Sequence, residues 1–429
     1  VTPFLLGLLA LLVLMLLRMP AAFALGLVGY FGFAHYMGFA VANKMTVSAL
    51  YEVGAYTLSV IPLFVLMGNL VASSGLAKDL FGAAYAFIGH VRGGLAVSTI
   101  FACGGFAAIS GSSLASAATM TKVALPPMRS FGYSEHLATA TIAAGGTLGI
   151  LIPPSVVFIV YGILTEQSIA KLFAAGVLPG ILAVACYLGA VGWVVRRRPD
   201  AGPAGERAPW SERLSRLRRV GSVLLLFAVV MGGMYGGAFT PTEAAGIGAF
   251  GAFAISCWKR SMSLARLEKA LVDTVRTSGS IFAILIGATV LSNFINMTGA
   301  PESFAGAVRA MELGPIWILL GIIVLYIILG CFFETLSVLL ITLPVFLPLI
   351  LGAGIDLIWF GVLVVVTVEL GLITPPFGMN VFVMASSARG IDTGVVFRGL
   401  IPFICADLVR LGLLIAFPII SLYLPGLMR

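Results

Sequence analysis

Charge is scarce in this sequence. Asp, Glu, Lys and Arg together make up 10% of its 429 residues, too few to cover the surface of a water-soluble chain of that length. Histidine and cysteine are scarcer still. His35, His90 and His136 are scattered, and Cys103, Cys186, Cys257, Cys331 and Cys405 stand alone in apolar surroundings without a CxxC spacing. Metal catalysis, a redox pair and Ser/His/Asp chemistry therefore have no visible constellation, and no enzyme activity is expected. Alternating segments of the barrel type are missing. So is a basic region ahead of the first apolar run, and a cleaved leader is not expected.

What is present is apolar: 60% of residues are hydrophobic and the mean hydropathy is +1.11. Runs long enough to cross a hydrocarbon core of roughly 30 Å recur from end to end. Lipid leaves the backbone to satisfy itself, so the expected fold is an all-α polytopic membrane protein. The 51 glycines and 21 prolines point to close helix contacts and to helices broken on purpose.

The net charge of +8 is unevenly placed. Residues 196–219 hold eight arginines against Asp200, Glu206 and Glu212, together with Pro199, Gly202, Pro203, Gly205 and Pro209. This reads as an exposed basic linker, and the positive-inside rule puts it in the cytoplasm. Lys259, Arg260, Arg266 and Lys269 fall one helical hairpin later and agree. Arg18 beside Pro20 fits another short cytoplasmic turn.

The two halves of the chain resemble each other. Gly149-Ile150-Leu151-Ile152-Pro153-Pro154 matches Gly371-Leu372-Ile373-Thr374-Pro375-Pro376 at a shift of 222, which also carries Ser112-Ser113 onto Glu334-Thr335 and Pro126 onto Pro348. Shifts of 224 and 223 pair Asn69 with Asn293 and Pro179 with Pro402. An ordered series of this kind indicates duplication. Counting spans from the cytoplasmic linker makes the two repeats inverted, as in many secondary transporters.

The expected organisation follows. N-terminal scaffold helices occupy 1–56. The first repeat spans 57–195, with a re-entrant hairpin at about 95–128 and a broken helix at about 137–163. The basic linker at 196–219 leads to central scaffold helices and an interfacial arm at 220–275. The second repeat fills 276–429, with its hairpin at about 314–350 and its broken helix at about 358–388. Amphipathic stretches from Leu76 to Arg92 and from Glu302 to Glu312 precede the hairpins, as interfacial arms or as connectors.

The chemistry concentrates at the paired breaks. Proline lacks an N–H, so each Pro-Pro releases carbonyls of the preceding turn toward a cation. A polar hairpin tip faces each break, and sodium is a hard cation suited to carbonyls, hydroxyls and carboxylates. The first expected sodium site comprises Ser112, Ser113, Gly146, Thr147, Gly149 and Ile152. The second comprises Glu334, Thr335, Glu369, Gly371 and Thr374, and the added carboxylates make the two related but unequal. Half-helix N-termini after the breaks suit an anionic group. Ser155, Asn380, Asn69 and Asn293 are the candidate solute contacts, although such amides also serve as interhelical glue. Asp407 and Arg410 share a helix face and read as an ion pair at a subunit or scaffold contact.

Taken together, Ser110-Gly111-Ser112-Ser113-Leu114-Ala115-Ser116-Ala117, Gly149 to Ser155 and Gly371 to Asn380 resemble the large membrane subunit of tripartite ATP-independent periplasmic (TRAP) transporters. The likeness covers essentially the whole chain. It implies an elevator-type fold in the bacterial inner membrane, uptake driven by Na+, and delivery of solute by a periplasmic substrate-binding protein. It also implies a partner, a small four-helix membrane subunit, and a carboxylate, sugar acid or sialic acid as substrate. A standalone two-hairpin anion carrier and a channel are the alternatives at this stage.

Overall fold

The computed structural model describes residues 2–17, 19–388 and 390–428; Arg18 and its expected turn lie outside them. Among the described residues every regular element is helical. The chain opens with α1 (Thr2–Leu16), α2 (Ala21–Met37) and α3 (Phe39–Val53). A first series follows: α4 (Val60–Ser73), α5 (Leu76–Ile88), α6 (Gly94–Ser110), α7 (Ser113–Ser130), α8 (Glu135–Leu151), α9 (Val156–Leu164) and α10 (Ile169–Arg197). Then come α11 (Trp210–Tyr235) and α12 (Pro241–Trp258). A second series repeats the order of the first: α13 (Leu264–Met297), α14 (Ala300–Ala310), α15 (Pro315–Phe332), α16 (Thr335–Gly352), α17 (Leu357–Gly371), α18 (Met379–Ser387) and α19 (Thr393–Ala416). The final helix, α20 (Ile419–Leu427), packs on α10 and α17. Eight helices among the described residues are long and apolar enough to cross a membrane.

Local chemistry sets the starts of these helices. Ser112, Ser134, Ser155 and Ser168 each accept a bond from a backbone N–H of the first turn, and Thr240 with Glu243 forms a full capping box. Such caps satisfy amides that would otherwise be orphaned in an apolar setting.

Two groups of helices result. In one, α2 lies tightly along α13, and α4 packs on α12 and α13. Small residues permit this closeness: a methyl group at Gly287 would sit 2.5 Å from the Ala22 carbonyl, and one at Gly29 would sit 2.5 Å from the Leu291 amide. In the other group, α6 and α7 pack on α8, α15 and α16 pack on α17, and α10 and α19 lie together against α8 and α17.

Two expectations need correction. The basic linker is shorter than 196–219 and is not simply exposed. Helix α10 runs to Arg197, and α11 begins at Trp210, within the arginine run. Arg213 is buried there, its guanidinium 4.8 Å from the Trp210 ring centroid and 5.8 Å from that of Phe87 on α5. Cation–π contact lets this arginine fold inward rather than stay solvated. The stretch between the two helices is strapped to the ends of α5, α6 and α8. Gly93 donates to Gly202 O (2.8 Å), Ser134 to Ala201 O (3.0 Å), Gly205 to Gly89 O (2.9 Å), and the Tyr133 hydroxyl to Pro203 O (3.0 Å). The second correction concerns the boundary at 275/276, through which α13 runs unbroken for 34 residues.

Candidate ion and solute site

The site is built where two hairpin tips meet two interrupted helices. Between α6 and α7 the chain turns at Gly111, whose φ of 58° favours glycine. Ser112 then caps α7 and stays half-buried. Helix α8 stops at Leu151 because Pro153 and Pro154 bring no N–H, which leaves the Gly149 and Ile150 carbonyls without their helical donors. Helix α17 stops at Gly371 ahead of Pro375 and Pro376, and both Pro–Pro peptide bonds are cis. Between the second break and α18, Gly378 takes a φ of 61° and donates to Cys331 O of the second tip.

Glycines press each tip against its break. A Cβ at Gly149 would meet Ser112 O at 2.6 Å and Ser113 N at 2.9 Å; one at Gly371 would meet Gly330 C at 2.6 Å and Ile327 O at 2.8 Å. Gly146 is crowded in the same way by Ala117, at 2.9 Å. Gly149 and Gly371 are symmetry mates at the shift of 222, and each sits hard against its own hairpin, Gly149 at the tip and Gly371 on the α15 arm.

The hydroxyls do not stay within their own halves. Ser113, expected in the first site, donates to Glu369 Oε1 of the second at 2.6 Å. Thr335 of the second tip faces the same carboxylate but forms no hydrogen bond of normal geometry. Glu369 is 1% exposed, and its Oε2 has no partner among the described residues. One buried carboxylate thus holds the Ser113 hydroxyl of the first tip and is faced by the Thr335 hydroxyl of the second. Thr147 also turns away from the first site: its hydroxyl lies 2.7 Å from both Ala144 O and the Tyr187 hydroxyl, to which it can donate. Ile152 ends the first half-helix, and its amide donates to Leu148 O. Thr374 donates to Leu370 O at 2.6 Å. Glu334 is half-buried at the start of α16, and its carboxylate forms no hydrogen bond among the described residues.

The expected solute contacts divide. Ser155 is fully buried and caps α9 through Phe158 N, which closes that N-terminus to a ligand. The N-terminus of α18 has no side-chain cap, and Pro375, Pro376 and Phe377 ahead of it are exposed. Asn380 is buried and donates to Ala143 O of α8 at 3.4 Å, while its Oδ1 has no partner among the described residues. Asn69 donates to Thr274 on α13 at 3.0 Å and acts as glue. Asn293 lies with Thr289, Ser292 and Gln167 in a cleft of about 730 Å³ between α13, α9 and α16, within the range of small-ligand sites.

Asp407 and Arg410 are not at a scaffold contact. They are 0% and 1% exposed in the core between α10, α8 and α19, with Arg410 Nη2 3.0 Å from Asp407 Oδ1. The Tyr187 hydroxyl donates to Asp407 Oδ2 at 2.7 Å, and Arg410 is within electrostatic reach of Glu369. Sequence reading missed Tyr187 because a lone tyrosine in an apolar helix carries no pattern. Its signal was positional: it aligns with Arg410 at the shift of 223 that pairs Pro179 with Pro402.

A family model described as "Tripartite ATP-independent periplasmic transporter, DctM component" matches residues 8–420. The C4-dicarboxylate TRAP transporter large permease protein DctM of Pseudomonas aeruginosa is 38% identical over 372 residues, covering 86% of each chain. The ectoine/5-hydroxyectoine TRAP transporter large permease protein UehC of Ruegeria pomeroyi is 34% identical over 426 residues, covering 98% of each. In fold, the chain is similar to the Alcanivorax borkumensis YdaH transporter, with a TM-score of 0.65 at 17% identity over 89% of this chain and 90% of the other. It is also similar to Neisseria gonorrhoeae MtrF, with a TM-score of 0.61 at 14% identity over 89% and 85%.

Proposed function

The chain belongs to the family of TRAP transporter large membrane subunits, and from that premise we propose that it carries a carboxylate-bearing solute inward with sodium, by an elevator movement of its hairpin-bearing unit. It is a multi-pass inner-membrane transport protein, not an enzyme, and it works with a periplasmic binding protein and a small membrane subunit.

One observation supports sodium coupling above the rest. Ser113 of the first hairpin tip donates to the buried and half-partnered Glu369, and Thr335 of the second tip faces the same carboxylate without bonding it. An ionised carboxylate at that depth is costly without a cation, and hydroxyls, carbonyls and a carboxylate are the donors a hard monovalent cation prefers. The Gly149 and Ile150 carbonyls offer a second, uncharged set. An ion entering with 100 mV inside-negative gains about 2.3 kcal/mol, so two ions more than offset the inward movement of a monoanion.

For the solute, the uncapped start of α18 suits a carboxylate group. Both relatives above are named for solutes that bear carboxylates. The repeated element order and the cytoplasmic strap support two inverted repeats, with the α6–α10 and α15–α19 bundles moving against the α2, α4, α12 and α13 group. The test is uptake into proteoliposomes containing this chain and its small subunit, with a purified binding protein and labelled carboxylates outside. Uptake should require both the binding protein and external sodium. Equal uptake in potassium would sink the coupling, and full uptake without the binding protein would favour a standalone carrier.

A further inference from the structure

In the first half, a residue of the broken helix is bonded to a residue of the long helix that closes the repeat, and in the second half the corresponding helices α17 and α19 also pack together. The bonded residues are Thr147 and Tyr187, joined by a 2.7 Å hydrogen bond. Their mates, at shifts of 222 and 223, are Glu369 and Arg410. The first pair is neutral, so the fold itself does not require charge at these positions. In the second half Asp407 joins them, its mate in the first half being the apolar Val184.

We infer that Asp407 and Arg410 are charge-setting residues for the second ion site: with Glu369 they leave one surplus negative charge in the core, and that surplus governs how tightly the site holds one sodium ion. This rests on the sodium reading above. Glu369, Asp407 and Arg410 are each 1% exposed or less, and two carboxylates with one guanidinium sum to minus one; the half-buried Glu334 at the tip is the same in every variant below and does not alter the differences between them. Tyr187 and Cys186, also within reach of Arg410, are uncharged in their ordinary state.

Arg410 is used in an unusual way for a structural arginine. Of its five donors, Nε and Nη2 have no hydrogen bond among the described residues, although Nη2 approaches Asp407 at 3.0 Å. A buried arginine kept for geometry uses its fork. Here the guanidinium lies 5.9 Å from the Tyr187 ring centroid and 3.0 Å from Asp407 Oδ1, and it contributes its charge as well as its contact. A unit charge acting over roughly 10 Å at an effective dielectric of about 20 changes a cation's affinity by more than tenfold. Asp407 and Arg410 need not touch the ion to set its binding.

The experiment reads the half-saturating sodium concentration from thermal unfolding of the purified full chain, with choline holding ionic strength constant. Glu369→Gln marks which part of the response belongs to the second site. Asp407→Asn makes the cluster neutral and should raise the half-point about tenfold or more. Arg410→Gln leaves two negative charges and should lower it by a similar factor. The double variant restores a sum of minus one and should return to within about threefold of the parent.

Loss of a merely structural ion pair would move both single variants the same way. Shifts in one direction, or a double variant displaced more than about tenfold, would overturn the inference. Removing one partner of a buried pair risks unfolding, and if a single variant cannot be purified, the double variant decides by the same limits. A parent protein with no sodium response would instead remove the sodium reading, and this inference with it. A responsive parent with the wrong variant pattern would remove the inference alone.

Discussion

Replacing Gly149 with alanine puts a single methyl group between the first hairpin tip and its broken helix. Its carbon would lie 2.6 Å from Ser112 O, 2.8 Å from Ser112 C and 2.9 Å from Ser113 N. Ordinary contact begins near 3.4 Å, so the tip must retreat by about 0.8 Å at the closest atom. All three obstacles are backbone, and no side chain can swing aside. Overpacking of this kind costs about 1–3 kcal/mol, and the retreat separates Ser112 and Ser113 from the released carbonyls. A loss near 1.4 kcal/mol is a tenfold weaker ion site. The assay is the stabilisation of purified protein by sodium. At a concentration one hundred times the dissociation constant, a ligand stabilises by about 2.7 kcal/mol, and after a tenfold weakening only about 1.4 kcal/mol remains. Gly189→Ala is the control, because nothing lies within 4 Å of a methyl group there; it should leave the sodium response unchanged. If Gly149→Ala keeps the parent's sodium stabilisation, the tip is not part of the site.

Two further outcomes are expected. Ser113→Ala removes the 2.6 Å bond to Glu369 Oε1 and leaves that buried oxygen unpaired, at a cost of about 1–3 kcal/mol; sodium activation of uptake should weaken while expression persists, and unchanged activation would count against the shared carboxylate. Tyr133→Phe removes the bond to Pro203 O and the one accepted from Leu95 N, so trypsin should cut after Arg207 several-fold faster; an unchanged digestion rate would show that the strap does not depend on this residue.

The breaks and tips were legible because their residue types are unusual in lipid and occur twice. Pro153-Pro154 and Pro375-Pro376 announce lost donors, and Ser112 and Glu334 announce polar turns. Side-chain direction was not legible. Ser113 pairs with a residue 256 positions away, and Thr147 turns to Tyr187, because the two halves interlock and hydroxyls in an apolar core go to the nearest acceptor. Composition also misjudged the arginine run, since Trp210 and Phe87 give Arg213 an aromatic bed that only the tertiary packing supplies. The strap left no signature at all. Three of its four bonds are made by backbone groups alone, and those carry no residue code.

That strap has a mechanical consequence. Residues 201–205 are held to the ends of α5, α6 and α8, while α11 begins at Trp210. Only residues 206–209 lie between the last anchor and the helix, and the five steps from Gly205 to Trp210 extend to about 18 Å at most. The chain is thus a leash of fixed length between those helix ends and α11, which itself packs on α5 and α12. Travel beyond that length must either tow α11 along or peel the strap from Gly205 backward, one hydrogen bond at a time.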